Sequence, residues 1–273
     1  MRILCLHGHG TNARILESQL ERLRAKLPHD WIFDFLDGEH VAPPAPAVEA
    51  IFPGPYLCYH GEPVEEDVRA AHEFLLEVVR EEGPFDMVVG FSQGAALAAA
   101  AIARHEQQYL TDDLFKAAVF VGASMPFDLD TGRVRLTYDG TGRLRAERLD
   151  ASGNALTDDD GLRWVNDCRT ATVVNEFESR NPDARQDAPQ SVEVLLRYHP
   201  RTHPQRIQIP TVHVVGAKDG YAQQGLDLAS LCDSRVCQTI IHEGGHEFPR
   251  KDEALQRVAD CMQAAAAQTS YLQ

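Results

Sequence analysis

Short apolar runs alternate along this chain with segments whose apolar residues recur every three or four positions. The runs at 2–7, 31–36, 85–91, 116–122, 209–216 and 235–241 are six to eight residues long and rich in Val, Ile, Leu, Ala and Phe. Runs of that length and content predict buried strands. Between them, Leu16, Leu20, Leu23 and Leu27 fall on one helical face. Val64, Val68, Ala71, Leu75 and Val78 form a second such face, opened by Glu65, Glu66 and Asp67. Acidic residues in a first turn oppose the positive end of the helix dipole. Leu255, Val258, Ala259 and Met262 mark a last helix, and the Ala-rich run from Ala95 to Ala103 suits a central helix packed tightly on a sheet. Strand and helix in alternation predict a parallel sheet with right-handed crossovers. The expectation is an α/β chain: a doubly wound, mostly parallel sheet of about six strands, in one domain over 1–273.

Two segments break the pattern. Residues 39–63 carry six prolines, with Ile51, Phe52, Tyr56 and Leu57 among them. A long loop without its own periodicity tends to be functional. The segment reads as one wall of a pocket, or else as a surface loop covering a sheet edge. Residues 128–160 alternate instead: Val134, Leu136 and Tyr138, then a turn at 139–142, then Leu144 and Ala146, with a second turn at 152–154. This predicts a hairpin, either a lid or an exposed decoration, within an insertion over 128–200.

Composition narrows the class. Hydrophobic residues are 44% of 273, enough for a substantial core, and no Gly/Ser-rich or Pro-rich linker divides the chain cleanly. A formal net charge of −15 argues against nucleic acid or an anionic membrane as partner. The sequence shows neither a basic n-region with an apolar h-region nor eighteen apolar residues in a row. The six cysteines at 5, 58, 168, 232, 237 and 261 have no metal-finger spacing and read as free thiols, so a reducing cytoplasm is expected. No zinc-protease, paired C-x-x-C or phosphate-loop pattern occurs, and no cofactor is implied.

The chemistry begins at Gly90-Phe91-Ser92-Gln93-Gly94, which follows the strand run 85–89 and opens onto the Ala-rich helix. Strand, G-x-S-x-G, helix is the pattern of a nucleophile elbow. The serine must stand on a sharp, strained turn, so residues two positions away must be small. The turn leaves the N–H of Gln93 at a helix N-terminus, aimed where an oxyanion would form. Taken alone, the pentapeptide also fits a Gly-rich turn with a structural serine. Two later features favour the elbow. Asp219 lies just past the run 209–216, and His246 sits in Glu243-Gly244-Gly245-His246 after the run 235–241. Loops after successive parallel strands share one sheet edge, so Ser92, Asp219 and His246 can converge. Asp227 and Asp233 are weaker alternatives for the acid, since neither directly follows a strand. The loop His7-Gly8-His9-Gly10-Thr11-Asn12 follows the first strand, and the backbone N–H of His9 is the candidate second oxyanion donor. His7 reads as structural, and His213 and His242 as satisfied sheet histidines.

Leu6-His7-Gly8, the G-x-S-x-G elbow, Phe33-Asp34-Phe35-Leu36-Asp37-Gly38, the strand ending at Asp219 and Gly245-His246 together resemble the FSH-type serine hydrolases of fungi, within the α/β-hydrolase superfamily. The likeness covers about 2–127 and 200–265 and leaves 127–200 longer than a minimal member. It implies an α/β-hydrolase fold and a catalytic set of Ser92, Asp219 and His246. It further implies a serine esterase or thioesterase of secondary metabolism, releasing a polyketide or other acyl chain, with an acyl carrier protein or polyketide synthase as partner. Ile51, Phe52, Tyr56 and Leu57 are the candidate acyl pocket. An acidic carrier could be steered by Arg133, Arg135, Arg143, Arg145 and Arg148, set against Asp139 and Glu147. Those arginines equally suit a solvated hairpin. The same scaffold supports acyl transfer, lactone or carbon–carbon bond hydrolysis, or ligand binding without catalysis.

Overall fold

The computed structural model describes residues 1–61, 64–109, 113–129, 133–138, 144–149, 191–198, 200 and 207–269. Its contacts group into two units. The larger comprises 1–61, 70–126 and 200–273, and the smaller 62–69 and 127–199.

A six-stranded parallel sheet organises the larger unit. Its strands are β1 (Arg2–Leu6), β2 (Ile32–Leu36), β5 (Met87–Phe91), β6 (Ala117–Val121), β10 (Thr211–Gly216) and β11 (Cys237–His242). They lie in the order β11-β10-β6-β5-β1-β2, with every pairing parallel. The six apolar runs are therefore the six strands, shifted by a residue or two at their ends. Central strands β5, β6 and β10 are buried throughout, as parallel strands covered on both faces must be.

Helices α1 (Ala13–Arg24) and α5 (Asp252–Thr269) touch each other. Their Leu16, Leu20, Leu23, Leu255, Val258 and Met262 share one core with Ile3, Val89, Val119 and Val214. Asn12 caps α1 by accepting from Ile15 N at 2.8 Å. Helix α3 (Gln93–Gln108) packs on β5, β6 and β1, and α4 (Ala222–Ser230) on β10 and β11. The alanines of α3 let its backbone lie close to β5: Ala95, Ala98 and Ala99 are fully buried. Helix α2 (Glu65–Glu82) buries Ala71, Leu75 and Val78.

The chain leaves β1 toward β2 on one side and returns as β5 on the other. The loops after β1 and β5 thus diverge at a topological switch point, where doubly wound sheets bind ligands. The Pro-rich stretch is not wholly irregular. It contains an antiparallel pair, β3 (His40–Val41) with β4 (Leu57–Cys58). Two-residue strands with fifteen residues between them carry too little periodicity to be read from sequence.

The smaller unit holds an antiparallel sheet of β7 (Arg133–Tyr138), β8 (Leu144–Leu149) and β9 (Ser191–Leu195), in the order β8-β7-β9. Val134 pairs with Arg148 and Leu136 with Ala146, the hairpin predicted by alternation. Strand β9 joins it at Val134↔Val194, a partner the alternation pattern did not reveal. Val68, Phe127, Leu129 and Leu195 form its small core, and the Arg197 guanidinium lies 3.9 Å from the Phe127 ring centroid. The predicted turns at 139–142 and 152–154, with Arg143, Asp139 and Cys168, lie outside the described residues.

Candidate active site

Ser92 follows the last residue of β5 and caps α3. Its φ of 52° and ψ of −114° lie in a region an L-residue enters only under constraint. Two glycines make the turn possible. A Cβ on Gly90 would stand 2.4 Å from Ala95 Cα, and one on Gly94 2.5 Å from Leu6 O. Strand and helix can approach this closely only without those side chains. The turn is held by Ser92 N donating to Val121 O at 2.9 Å and Gly94 N donating to His7 O at 3.2 Å.

The two loops beyond β10 and β11 are bonded to each other. Ala217 N donates to His242 O at 2.8 Å and Lys218 N to Gly244 O at 2.9 Å. They bring Asp219 and His246 together and carry both to Ser92. His246 Nε2 lies 2.9 Å from Ser92 Oγ, and His246 Nδ1 lies 2.8 Å from Asp219 Oδ2. An ionised carboxylate only accepts, so Nδ1–H donates to Asp219 and the Nε2 lone pair faces the Ser92 hydroxyl. The Asp219 side chain is 1% exposed, and its other oxygen accepts from Tyr221 N at 2.8 Å. The His246 ring is 34% exposed and packs against Phe91 and Tyr221, with centroids at 5.1 and 5.4 Å. The alternative acids are engaged elsewhere: Asp227 accepts from Gln223, and Asp233 pairs with Arg235.

The loop after β1 is built on His7, which is fully buried. Gly38 N donates to its Nε2 at 2.9 Å, so the proton sits on Nδ1 and is donated to Gly8 O at 2.8 Å. Burial pushes the His7 pKa down, which keeps the ring in this neutral form. Tyr59 clamps the same loop, accepting from His7 N at 3.0 Å and donating to Leu36 O at 2.9 Å. Gln93, the first residue of α3, has its backbone N–H among the donors that lack an intrahelical partner. Its side chain fixes the facing loop, accepting from Tyr59 N and donating to His60 O, both at 2.9 Å. His9 is exposed and lines the cavity beside Ser92.

That cavity has a volume of about 490 Å³ and is walled by Val48, Ile51, Phe52, Phe91 and Phe248, with Arg250 among its polar lining. Of the four residues expected to line it, Ile51 and Phe52 do so. Tyr56 and Leu57 stand outside the lining and support it instead. The Tyr56 hydroxyl donates to Phe52 O at 2.7 Å. Leu57 N donates to Thr11 O at 2.6 Å and Leu57 O accepts from Gly10 N at 2.9 Å, tying the Pro-rich segment to the His7–Asn12 loop. Sequence reasoning missed Phe91 and Phe248 as pocket residues. Their signal was available, since each lies within two positions of a candidate site residue.

Comparison with known proteins agrees with this architecture. The family described as Serine hydrolase (FSH1) matches residues 1–258. The chain is 34% identical over 269 residues to Hydrolase FUB4 of Fusarium oxysporum f. sp. lycopersici, covering 95% of this chain and 96% of the relative. It is 30% identical to Esterase alnB of Emericella nidulans, over 91% of this chain and 90% of that one. Among solved structures, a variant of Arabidopsis thaliana SOBER1 superposes with a TM-score of 0.52 at 13% identity, covering 97% of this chain and 100% of that one. At that identity the likeness speaks for the fold. No helix among the described residues is long and apolar enough to cross a membrane.

Proposed function

The chain belongs to the FSH1 family of serine hydrolases, enzymes that cleave esters, and from that premise we propose that it releases a hydrophobic carboxylic acid from an ester or thioester through an acyl-enzyme on Ser92. The observation that carries this reading is the unbroken chain Asp219 Oδ2, His246 Nδ1, His246 Nε2, Ser92 Oγ, with links of 2.8 and 2.9 Å, opening on an apolar cavity.

In this reading His246 Nε2 takes the Ser92 proton as Oγ attacks the acyl carbon. The imidazolium that forms is stabilised by buried Asp219, which also holds the ring in the productive tautomer. The backbone N–H groups of Gln93 and His9 face the developing oxyanion. His246 then protonates the leaving alcohol or thiol, and the same histidine activates water to release the acid. Val48, Ile51, Phe52 and Phe248 favour an apolar acyl chain, because each methylene moved from water onto such a surface contributes about 0.8 kcal/mol. A polyketide-type chain presented by an acyl carrier protein fits the family resemblance and is the finer form of the proposal.

A fluorophosphonate probe tests the reading directly. It should add one mass increment, on the peptide bearing Ser92, and Ser92→Ala should lose both the label and ester turnover. Labelling at another serine, or a Ser92→Ala variant keeping a tenth of the activity, would overturn it. Incubation with a panel of acyl thioesters, followed by intact-mass analysis, then identifies the chain that acylates Ser92.

A further inference from the structure

At the other end of β10 from Asp219, three ligating side chains meet that the described chemistry does not use. Cys232 Sγ lies 3.4 Å from His213 Nε2, and the ligand atoms of His213, Cys232 and Cys237 all fall within 4.8 Å of one another. The fold builds this cluster from three elements. His213 sits within β10 and Cys237 starts β11, paired in register with Thr211 two residues before His213. Residues two apart in a strand share a face. Cys232 comes from the turn that follows α4. The sequence hides the arrangement, because the spacing from 213 to 232 to 237 matches no common ligand motif.

From this geometry we infer that His213, Cys232 and Cys237 form a binding site for a borderline-soft divalent cation of the zinc class. Metal–sulfur bonds of about 2.3 Å and a metal–nitrogen bond of about 2.0–2.1 Å place tetrahedral ligand atoms about 3.5–3.8 Å apart. The observed Sγ–Nε2 separation of 3.4 Å is close to that edge. The polarity around the cluster suits a cation. Cys232 Sγ and Cys237 Sγ donate to Leu228 O and Ala229 O at 3.4 and 3.6 Å, carbonyls of the last turn of α4. A helix C-terminus carries partial negative charge. The Thr211 hydroxyl beside Cys237 is fully buried and has no hydrogen-bond partner among the described residues. It can serve a thiolate as donor.

Charge and access are consistent as well. Binding releases two thiol protons to solvent and joins a dication to two thiolates and a neutral imidazole. The complex is neutral, so burial of His213 and Cys232, with Cys237 part-exposed, imposes little desolvation cost on it. Cys232 and Cys237 line a cavity of about 730 Å³ that also touches Asp233 and Arg235. The Asp233 carboxylate is held by Arg235, with Oδ2 2.5 Å from Nη2, so the fourth position falls to water from the cavity. A bound cation would cross-link α4, β10 and β11, the elements that flank the Asp219 and His246 loops.

The test uses the full chain, reduced, stripped with chelator under argon, and titrated with Co²⁺ and then Cd²⁺. The expected result is one ion per chain, with tetrahedral-type cobalt absorption and a thiolate-to-cadmium band. Cys232→Ser, Cys237→Ser and His213→Asn should each weaken binding by at least about tenfold, the lower end of what losing even an outer-sphere partner costs. Cys261→Ser, on α5 and outside the cluster, should leave it unchanged. Alkylation of the wild type keeps the test decisive should a variant not fold: Cd²⁺ should protect Cys232 and Cys237 but not Cys261. Unchanged binding in the variants, no protection, or no uptake at stoichiometric metal overturns the inference. A Cys232–Cys237 disulfide in air, from a reduced protein that binds no metal, overturns it in favour of a dithiol.

Discussion

Asp219→Asn separates a positioned histidine from a merely adjacent one. In the wild type the carboxylate is 1% exposed and accepts Nδ1–H of His246 at 2.8 Å. The amide that replaces it is nearly isosteric but uncharged, and it can turn an N–H toward Nδ1. Two losses follow. The imidazolium formed in the transition state no longer faces a negative charge, and unit charges about 4 Å apart at an effective dielectric of about 20 attract by about 4 kcal/mol. That alone is about a thousandfold in rate. In addition, an amide donating to Nδ1 forces the ring proton onto Nε2, where it blocks uptake of the Ser92 proton. The combined expectation is a fall in kcat of about 10³–10⁴-fold, with KM for a p-nitrophenyl hexanoate little changed. The assay pairs that kinetic measurement with thermal unfolding, to show that the fold survives. A correctly folded Asp219→Asn enzyme retaining more than a tenth of wild-type kcat would refute the reasoning and return Asp227 and Asp233 to consideration.

Other outcomes follow from neighbouring features. Extending a p-nitrophenyl ester from acetyl to hexanoyl adds four methylenes worth up to about 3 kcal/mol in all, so kcat/KM should rise by as much as about a hundredfold; Phe52→Ala should flatten the series, and a steady fall with chain length in the wild type would mark a small-acyl site. His7→Phe strands Gly38 N–H, whose partner in the native loop is His7 Nε2, and takes one donor from Gly8 O, which keeps the Thr11 hydroxyl at 2.7 Å. The loss of stability should be about 2 kcal/mol or more, with kcat falling as the loop loosens, measured by denaturant unfolding and steady-state kinetics. Glu106 is pushed from 4.5 up to about 7, chiefly by burial, against backbone donors at Gln208 and Ile209. Its folded form holds the proton more tightly than its unfolded form, so its contribution is full below about pH 4.5 and is lost as pH rises to about 7. Glu106→Gln should therefore flatten the decline in Tm across that window; an equal decline in both proteins would refute the assignment.

The elements most legible in the sequence were those with a local cause. Six apolar runs became six strands; in β1, β5, β6 and β10 burial on both faces demands continuous apolar residues, while β2 and β11 at the sheet edges are only part-buried. The leucines at 16, 20 and 23 became the core face of α1 because helical spacing places them together. Ser92 was visible through its glycines, whose missing side chains the turn requires. Pairings with weak local cause were not legible. Strand β9 joins β7 from beyond position 190, and β3 pairs with β4 across the Pro-rich stretch. Tyr56 and Leu57 look like pocket residues by hydrophobicity. Their hydroxyl and backbone groups are instead used to brace the wall.

By itself, then, the sequence determined the elements, the alternation that makes the sheet parallel, and the order of serine, acid and histidine along the edge. Each follows from interactions between residues close in the chain: periodic burial, steric room at a turn, a loop after a strand. Only the tertiary structure decided which side chains from distant segments share a volume. It set Phe248 and Phe91 beside Ile51 and Phe52, gave His7 the amide of Gly38 as partner, and gathered His213, Cys232 and Cys237 into one cluster. Those contacts depend on strand register and helix packing, which are fixed by the closing of the whole core, so no local pattern announces them.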